Sequence, residues 1–574
     1  MSNRFVFSLS DTARLSPIAG LALLITACAS GTANSEIEAI GPGSSLYGNY
    51  LSARHAQSAR RPDMASRFFE AVLAEEPDSA SLRNRTFVLK SVEGEFDDSL
   101  PLAKEMVEAK KASPLAELVL VIEDIHQGGF AEAVARAETV TDKGVNAFLL
   151  PMIKAWALAG ADKGDAATEE LDQLAKSNGF KTLAHLHKAL LQAHLGDLDA
   201  AESTYLLAMG DGENTSSRMR QLYGAFLERQ GKVDEARTLY QTYLEKHPGS
   251  RLFETALARV DGGKALSDAH PGPAHGVAEA LFDVGNSLRQ RNARDTAMLL
   301  VRLALRLKPD FPLAQIIVAD LLESDDRLAA ANEIYRQINP LSHAAWSARM
   351  AVASNLDRLD RTDDAVMELR AMARDYPDEA DPLISLGDVL RGRDRYAEAV
   401  EAYDDALKRI GTVHQDHWSF FYTRGIALEQ SQQWDRAEKD FLKALELRPD
   451  QPYVLNYLGY SWVERERNLD RARGMIEKAV EAQPTDGYIV DSLGWVLYRF
   501  KDYEGAVKNL ERAVELRPQD PVINDHLGDA YWQVGRKKEA RFQWRRARGL
   551  EPEQKVLDRI ERKLKSGLNA DDDI

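Results

Sequence analysis

The sequence predicts an all-α protein, an α-solenoid in which pairs of antiparallel helices stack in series. Three observations lead to this prediction. From residue 380 onward, glycines recur every 34 to 38 residues, an alanine follows each glycine by 12 or 13 residues, and a proline follows most of these alanines by 12. Between these positions the apolar residues recur with helical period, without the alternation that is typical of strands.

Each recurring residue type has a physical role in a helical hairpin. Two helices approach closely only where side chains are small, and a larger residue at the crossing would cost about 1–3 kcal/mol by overpacking. Proline lacks the amide hydrogen that a helix interior needs, so it ends each unit. The recurring residues are Gly387, Gly425, Gly459, Gly494 and Gly528, then Ala399, Ala437, Ala472, Ala506 and Ala540, then Pro449, Pro484, Pro518 and Pro552.

Composition excludes several classes of protein. The 574 residues are 44% apolar and 28% charged, which is near the globular average and excludes wholesale disorder or a multi-span membrane protein. A net charge of −17 argues against nucleic-acid binding, because such proteins carry a basic footprint. The single cysteine excludes both an internal disulfide framework and a zinc site built on several thiolates.

Short motifs recur in order along these repeating units, for example LGYSW at 458–462, LGWVLY at 493–498 and LGDAYW at 527–532. A 34-residue unit with these features resembles the tetratricopeptide repeat. The resemblance implies helix-turn-helix repeats that stack into a right-handed superhelix, with first helices lining a concave groove.

The same spacing extends toward the N-terminus, where the pattern weakens between residues 80 and 216. We expect an N-terminal array of about six repeats at 46–250, several of them degenerate, and a C-terminal array of about eight repeats at 278–552. Between them, 251–277 contains clustered Gly and Pro and is interpreted as a joint. Residues 553–574 are interpreted as a capping helix followed by an acidic tail, since terminal repeats need a polar outer face.

Residues 1–27 have the pattern of a signal peptide. Arg4 and Arg14 precede the uncharged stretch 18–27, which is too short to span a bilayer and has the length of a signal-peptide core. The stretch ends at Cys28, and ITAC at 25–28 resembles a bacterial lipobox, which implies that Cys28 is lipidated. The alternative is an ordinary secretory signal with a chance cysteine near its cleavage site.

The segment 28–45 is rich in Gly, Ser and Ala and is interpreted as a flexible tether. Residue 29 is Ala rather than Asp, which resembles outer-membrane sorting in enteric bacteria. The expected location is therefore the cell envelope, most simply the outer membrane facing the periplasm.

No catalytic motif stands out in the sequence. HExxH, GxSxG and GxxxxGK[ST] patterns are all missing. His185 and His187 are two residues apart, so on a helix they do not face each other and do not suggest a metal site. We therefore expect no enzyme activity, cofactor, metal or small-molecule substrate.

The resemblance places a peptide-binding groove on the first helices of the C-terminal array. Carried over residue by residue, its lining is aromatic with interleaved Asn and Asp, and aromatic residues are enriched at binding hot spots. The alternative is that several of these rings pack between repeats as core. The residues are Tyr422, Tyr453, Asn456, Tyr457, Tyr460, Tyr488, Asp491, Trp495, Tyr498, Asp525, His526, Asp529 and Trp532.

These features together predict a lipid-anchored, non-enzymatic scaffold that binds protein or peptide partners in the cell envelope. Two alternatives remain open: an assembly factor for a pilus, secretion or polysaccharide-export machine, and a regulator of a cell-wall enzyme or protease.

Overall fold

The computed structural model describes residues 41–568, apart from 111–112, 142–143, 178, 211–214, 265, 267–269 and 292. Within these residues the regular elements are thirty α-helices and one turn of 3-10 helix, with no strand. They form two compact units, whose described parts are 41–364, the N-terminal unit, and 365–568, the C-terminal unit. The predicted signal peptide, Cys28 and the acidic residues of the tail lie outside the described residues.

The N-terminal unit contains α1 (Leu46–Ser58), α2 (Pro62–Glu75), α3 (Ala80–Glu93), α4 (Phe96–Glu108), α5 (Pro114–His126), α6 (Phe130–Ala137), α7 (Asn146–Gly160), α8 (Gly164–Ala175), α9 (Lys181–Leu195), α10 (Leu198–Met209), α11 (Ser217–Arg229), α12 (Val233–Lys246), α13 (Arg251–Asp261), α14 (Pro273–Gln290), α15 (Arg294–Leu307), α16 (Pro312–Ser324), α17 (Leu328–Arg336) and α18 (Ala345–Arg358). Helix α19 (Thr362–Asp375) runs across the unit boundary.

The C-terminal unit continues with α20 (Asp381–Gly392), α21 (Tyr396–Arg409), a 3-10 turn (Gln415–His417), α22 (Trp418–Gln430), α23 (Trp434–Leu447), α24 (Pro452–Glu464), α25 (Leu469–Ala482), α26 (Gly487–Arg499), α27 (Tyr503–Leu516), α28 (Pro521–Gln533), α29 (Lys537–Gly549) and α30 (Gln554–Ser566). In both units consecutive helices pack as hairpins, and the hairpins stack on one another. The predicted all-α solenoid architecture is confirmed.

Close helix crossings occur at the glycines that the sequence singled out. A Cβ on Gly387 would lie 2.4 Å from the Tyr403 ring, and one on Gly528 would lie 2.4 Å from the Trp544 ring. The tyrosine and the tryptophan each follow a fully buried alanine, Ala399 or Ala540, by four residues. The large side chain of the second helix therefore occupies the space that the glycine leaves on the first.

The weakly patterned region 80–216 also consists of hairpins, α3 with α4 through α9 with α10. Its phase follows the same spacing, since the residues at the alanine position are fully buried throughout: Ser99, Ala133, Ala167 and Ala201. Burial of one small residue per hairpin thus persists where the rest of the motif has been lost.

The predicted joint at 251–277 includes a helix. Helix α13 packs against α12, with Phe253 and Ala256 buried, and the Gly and Pro cluster lies between α13 and α14. The boundaries predicted for the two arrays remain predictions.

In the N-terminal unit the hairpin α14–α15 covers first helices of earlier repeats. Helix α14 packs against α7 and α9, and α15 packs against α3 and α5. A Cβ on Gly276 would lie 2.1 Å from the Trp156 ring, so the backbone of α14 lies directly on the indole. Arg306 of α15 reaches Asp97 at 3.2 Å and Glu123 at 3.4 Å. The chain itself therefore covers the face that these first helices would otherwise present to a partner.

We expect Gly387→Ala to lower the stability of the C-terminal unit by about 1–3 kcal/mol, because the added methyl overlaps the Tyr403 ring. Gly392→Ala, on the same helix, has no neighbouring atom within 4 Å of its Cβ and serves as the control. The measurement is the denaturant midpoint of each variant. Equal midpoints would contradict the close crossing.

Candidate functional site on the first helices

The thirteen predicted groove residues lie on four successive first helices of the C-terminal unit, α22, α24, α26 and α28, whose shared surface we call the first-helix face. Helix α24 contacts α26, and α26 contacts α28. Nine of the thirteen are buried: Asn456, Tyr457, Tyr460, Asp491, Trp495, Tyr498, Asp525, His526 and Asp529. Tyr422, Tyr453, Tyr488 and Trp532 are partly exposed.

Carboxylates near the ends of these helices connect neighbouring repeats. Glu429 of α22 accepts a hydrogen bond from the Tyr457 hydroxyl at 3.4 Å and pairs with Arg465 at 2.8 Å. One repeat later, Glu464 accepts from the Trp495 indole N–H at 2.9 Å. Several predicted groove residues therefore hold one first helix to the next.

A buried His–Asp pair joins the middle of α26 to the middle of α28. His526 Nδ1 lies 3.0 Å from Asp491 Oδ1, and the imidazole stacks on the Trp495 ring at 4.2 Å between centroids. Burial alone would lower the pKa of His526, but the Asp491 and Asp525 carboxylates outweigh it and raise the pKa above its ordinary value. The charged imidazolium is therefore favoured inside this interface.

The last repeat uses its acidic residues to hold α30. Lys563 Nζ lies 2.9 Å from Asp525 Oδ1 and 2.6 Å from Asp529 Oδ2, while Arg559 reaches Asp525 at 2.9 Å. Burial raises the pKa of Asp529 to about 6, although Lys563 opposes the shift. Burial would also raise the pKa of Asp525, but Lys563 and Arg559 hold it below its ordinary value.

A capping helix was predicted from the sequence at α30, but the role of its two cations was missed. Arg559 and Lys563 are four residues apart on the helix, and they flank Ile560, which is fully buried. That spacing could have predicted that both cations lie on the buried side of α30, since residues four apart share a helical face. The acidic pair in α28 is thus a structural partner for α30.

Outside this face, His187 is buried, and its Nδ1 accepts a hydrogen bond from Trp156 Nε1 at 3.2 Å. His185 is partly exposed. Over the described ranges no group of three His, Cys, Asp or Glu side chains is placed to hold a metal ion. Of the helices that the structure describes, none has the length and apolarity to cross a bilayer.

We expect the stability of the C-terminal unit to fall as the pH rises through the pKa of His526. The pKa of His526 is higher in the folded state than the value of about 6.5 in the unfolded chain. Its contribution to folding stability is therefore complete at pH values below the unfolded pKa and is lost as the pH rises through the folded pKa. His526→Gln should reduce this pH dependence, measured as denaturant midpoints between about pH 6 and pH 9. His414→Gln, at an exposed histidine, is the control, and an identical pH profile for both variants would refute the role of His526.

Models of tetratricopeptide repeats match residues 217–260, 352–412, 422–487 and 494–535. A TPR repeat-containing protein of Pseudomonas aeruginosa is 26% identical over 146 residues, and the aligned part is 25% of this chain and 24% of that protein. The chain thus spans about a quarter of the length of this relative.

Several solved structures are similar to this chain, with low TM-scores. The Cut9 and Hcn1 hetero-tetramer of APC/C aligns over 92% of this chain and 97% of its own, with 14% identity and a TM-score of 0.37. MamA from Desulfovibrio magneticus RS-1 aligns over 30% and 96%, with 22% identity and a TM-score of 0.27. YrrB, described as a TPR protein with an unusual peptide-binding site, aligns over 34% and 97%, with 18% identity and a TM-score of 0.27.

The segments that match the repeat models fold as the helical hairpins described above, with a small residue at each crossing. The chain therefore contains tetratricopeptide repeats.

Proposed function

We propose that this protein is a non-enzymatic scaffold, anchored by lipid in the bacterial cell envelope, that binds segments of partner proteins on the first-helix face of its C-terminal unit. Tetratricopeptide repeats are typically protein-interaction modules, and the matched repeats cover most of this unit. In the N-terminal unit the hairpin α14–α15 covers first helices of earlier repeats, which favours the C-terminal unit as the site of binding.

Three polar atoms on this face are buried without hydrogen-bond partners among the described residues. Tyr422 Oη, Asn456 Oδ1 and His526 Nε2 are buried, and none has a partner within the described part of the chain. An unsatisfied buried polar group costs about 1–3 kcal/mol. A peptide backbone carries both N–H donors and C=O acceptors, but the three atoms are closed to solvent in the unbound chain, so a bound segment would reach them only after neighbouring side chains move aside.

The observation that carries the proposal is the aromatic surface that two partly exposed tyrosines offer on this face. Tyr453 and Tyr488 are each the second residue of a first helix, in consecutive repeats, and both are partly exposed. The Arg517 guanidinium lies over the Tyr488 ring at 4.9 Å, which orients the ring. Aromatic side chains held in this way lose little conformational entropy when a partner binds.

We expect a photo-reactive phenylalanine analogue in place of Tyr453 to crosslink a partner in cells, whereas the same analogue in place of Tyr396, on a second helix, does not. Tyr453→Ala with Tyr488→Ala should weaken binding of that partner by at least about thirtyfold, since a single hot-spot aromatic contributes about 2 kcal/mol or more. Tyr396→Ala is the matched control. Titration of the purified pair measures the effect.

Equal affinity for all variants, or equal crosslinking from both positions, would refute the first-helix face as the binding surface. If binding also changes the catalytic rate of the captured partner, the protein is a regulator of that enzyme rather than a scaffold alone.

The anchor proposal rests on the sequence that ends at Cys28. A single acyl chain binds a membrane only marginally, so stable retention needs more than one chain. Lipoprotein modification, which the lipobox resemblance implies, supplies several chains on one cysteine. Ala29 supports the outer membrane as the destination.

We expect Cys28→Ser to prevent lipid attachment, so the protein leaves the membrane fraction or accumulates with its signal segment uncleaved. Fractionation, together with the intact mass of the product, measures both outcomes, and the unaltered protein is the control. Unchanged processing and unchanged membrane retention would contradict the lipoprotein assignment.

A further inference from the structure

The outer surface of α29 carries a concentration of positive charge in a chain that is otherwise acidic. Between residues 536 and 548 there are seven Lys and Arg residues and one carboxylate, Glu539, while the whole chain has a net charge of −17. We call this surface the terminal basic patch. Its exposed cations are Arg536, Lys537, Lys538, Arg545, Arg546 and Arg548.

Most of these cations have no carboxylate beside them. Arg536 pairs with Glu511 at 3.0 Å and with Glu539 at 3.2 Å. Arg545 and Arg546 instead donate to the backbone carbonyls of Arg541 and Pro518, at 3.0 Å and 2.9 Å. Within the described residues no acidic side chain lies within ion-pair distance of the other exposed cations of α29. Among the described residues their charge is therefore uncompensated.

An aromatic ring lies among these cations. Phe542 is 58% exposed, with Lys538 one turn before it and Arg545 and Arg546 one turn after it on the same helix. A large apolar ring that is exposed within a charged surface favours a binding role over a packing role.

The preceding repeat shows that the fold does not require this arrangement. Counted from the buried alanine of each second helix, Lys538, Phe542, Arg545 and Arg546 correspond to Glu504, Lys508, Glu511 and Arg512 of α27. Those four side chains carry no net charge and include no aromatic ring. The terminal basic patch therefore departs from the charge balance of the neighbouring hairpin while the helix packing stays the same.

We propose that the terminal basic patch binds an anionic phospholipid surface. Each Lys or Arg near such a surface contributes about 1 kcal/mol, and an aromatic ring among the cations reaches the boundary between headgroups and acyl chains. Mobile headgroups can move to separate cations along a helix, so the patch needs no shaped pocket. This second membrane contact is independent of Cys28 and of the first-helix face.

The test uses the chain from residue 28 onward with Cys28→Ser, which keeps every described residue and carries no lipid. Co-sedimentation is measured with vesicles of phosphatidylcholine alone and with vesicles that also contain phosphatidylglycerol. We expect binding only to the second kind, and we expect it to be lost between about 0.1 M and about 1 M salt, as the Debye length falls from ~10 Å to ~3 Å.

Lys538→Glu with Arg545→Glu should weaken this binding about thirtyfold or more. Lys508→Glu with Arg512→Glu makes the same charge change on α27 and should leave most of the binding. Phe542→Ala should weaken binding severalfold at the lower salt concentration, and circular dichroism of each variant shows whether the helices have formed. Equal loss in the α27 control, no binding to either vesicle, or preferential binding of duplex DNA or an acidic protein would overturn the proposal.

Discussion

The two helices of a hairpin approach so closely that one additional carbon atom at the crossing has no space. At Gly387 and Gly528 the position of a Cβ is already occupied by an aromatic ring of the second helix. That ring can lie there only because a buried alanine, four residues earlier, lets the second helix come near. A buried small residue at this position of the second helix recurs in each described hairpin, even where the surrounding motif is weak. Stacking follows, because a hairpin buries its remaining apolar surface only against its neighbours.

The first helices of the C-terminal unit are joined by polar contacts as well as by apolar packing. Glu429 and Glu464 each reach the next first helix, and Asp491 pairs with His526 across the following interface. The first-helix face is therefore partly a core between repeats. A partner would meet the tyrosines that remain partly exposed, while the buried residues keep these rings in position.

The N-terminal unit uses its first helices differently. The hairpin α14–α15 packs on helices of four earlier repeats, through the Gly276 contact with Trp156 and the ion pairs of Arg306. Repeats in the N-terminal unit are therefore covered by their own chain. In the C-terminal unit, we propose, repeats of the same fold face another protein. The terminal basic patch is a further difference, because it changes the surface of α29 without altering its packing.

The repeat spacing was sufficient to predict the helical hairpins, their phase and the residues at each crossing, because these depend on side-chain size at positions that are near in sequence. The resemblance to the tetratricopeptide repeat placed the thirteen candidate residues on first helices, which is where they lie. The contacts of those residues were decided by the tertiary structure, as with Asp525 and Asp529, whose partners Arg559 and Lys563 come from α30. Coverage of α3, α5, α7 and α9 by α14–α15 was likewise not visible in the repeat, since each hairpin has the same local pattern wherever it packs. The sequence by itself determined which residues form each hairpin. The faces of a hairpin that remain accessible were decided by the tertiary structure, because they depend on helices that are distant along the chain and meet only in the folded protein.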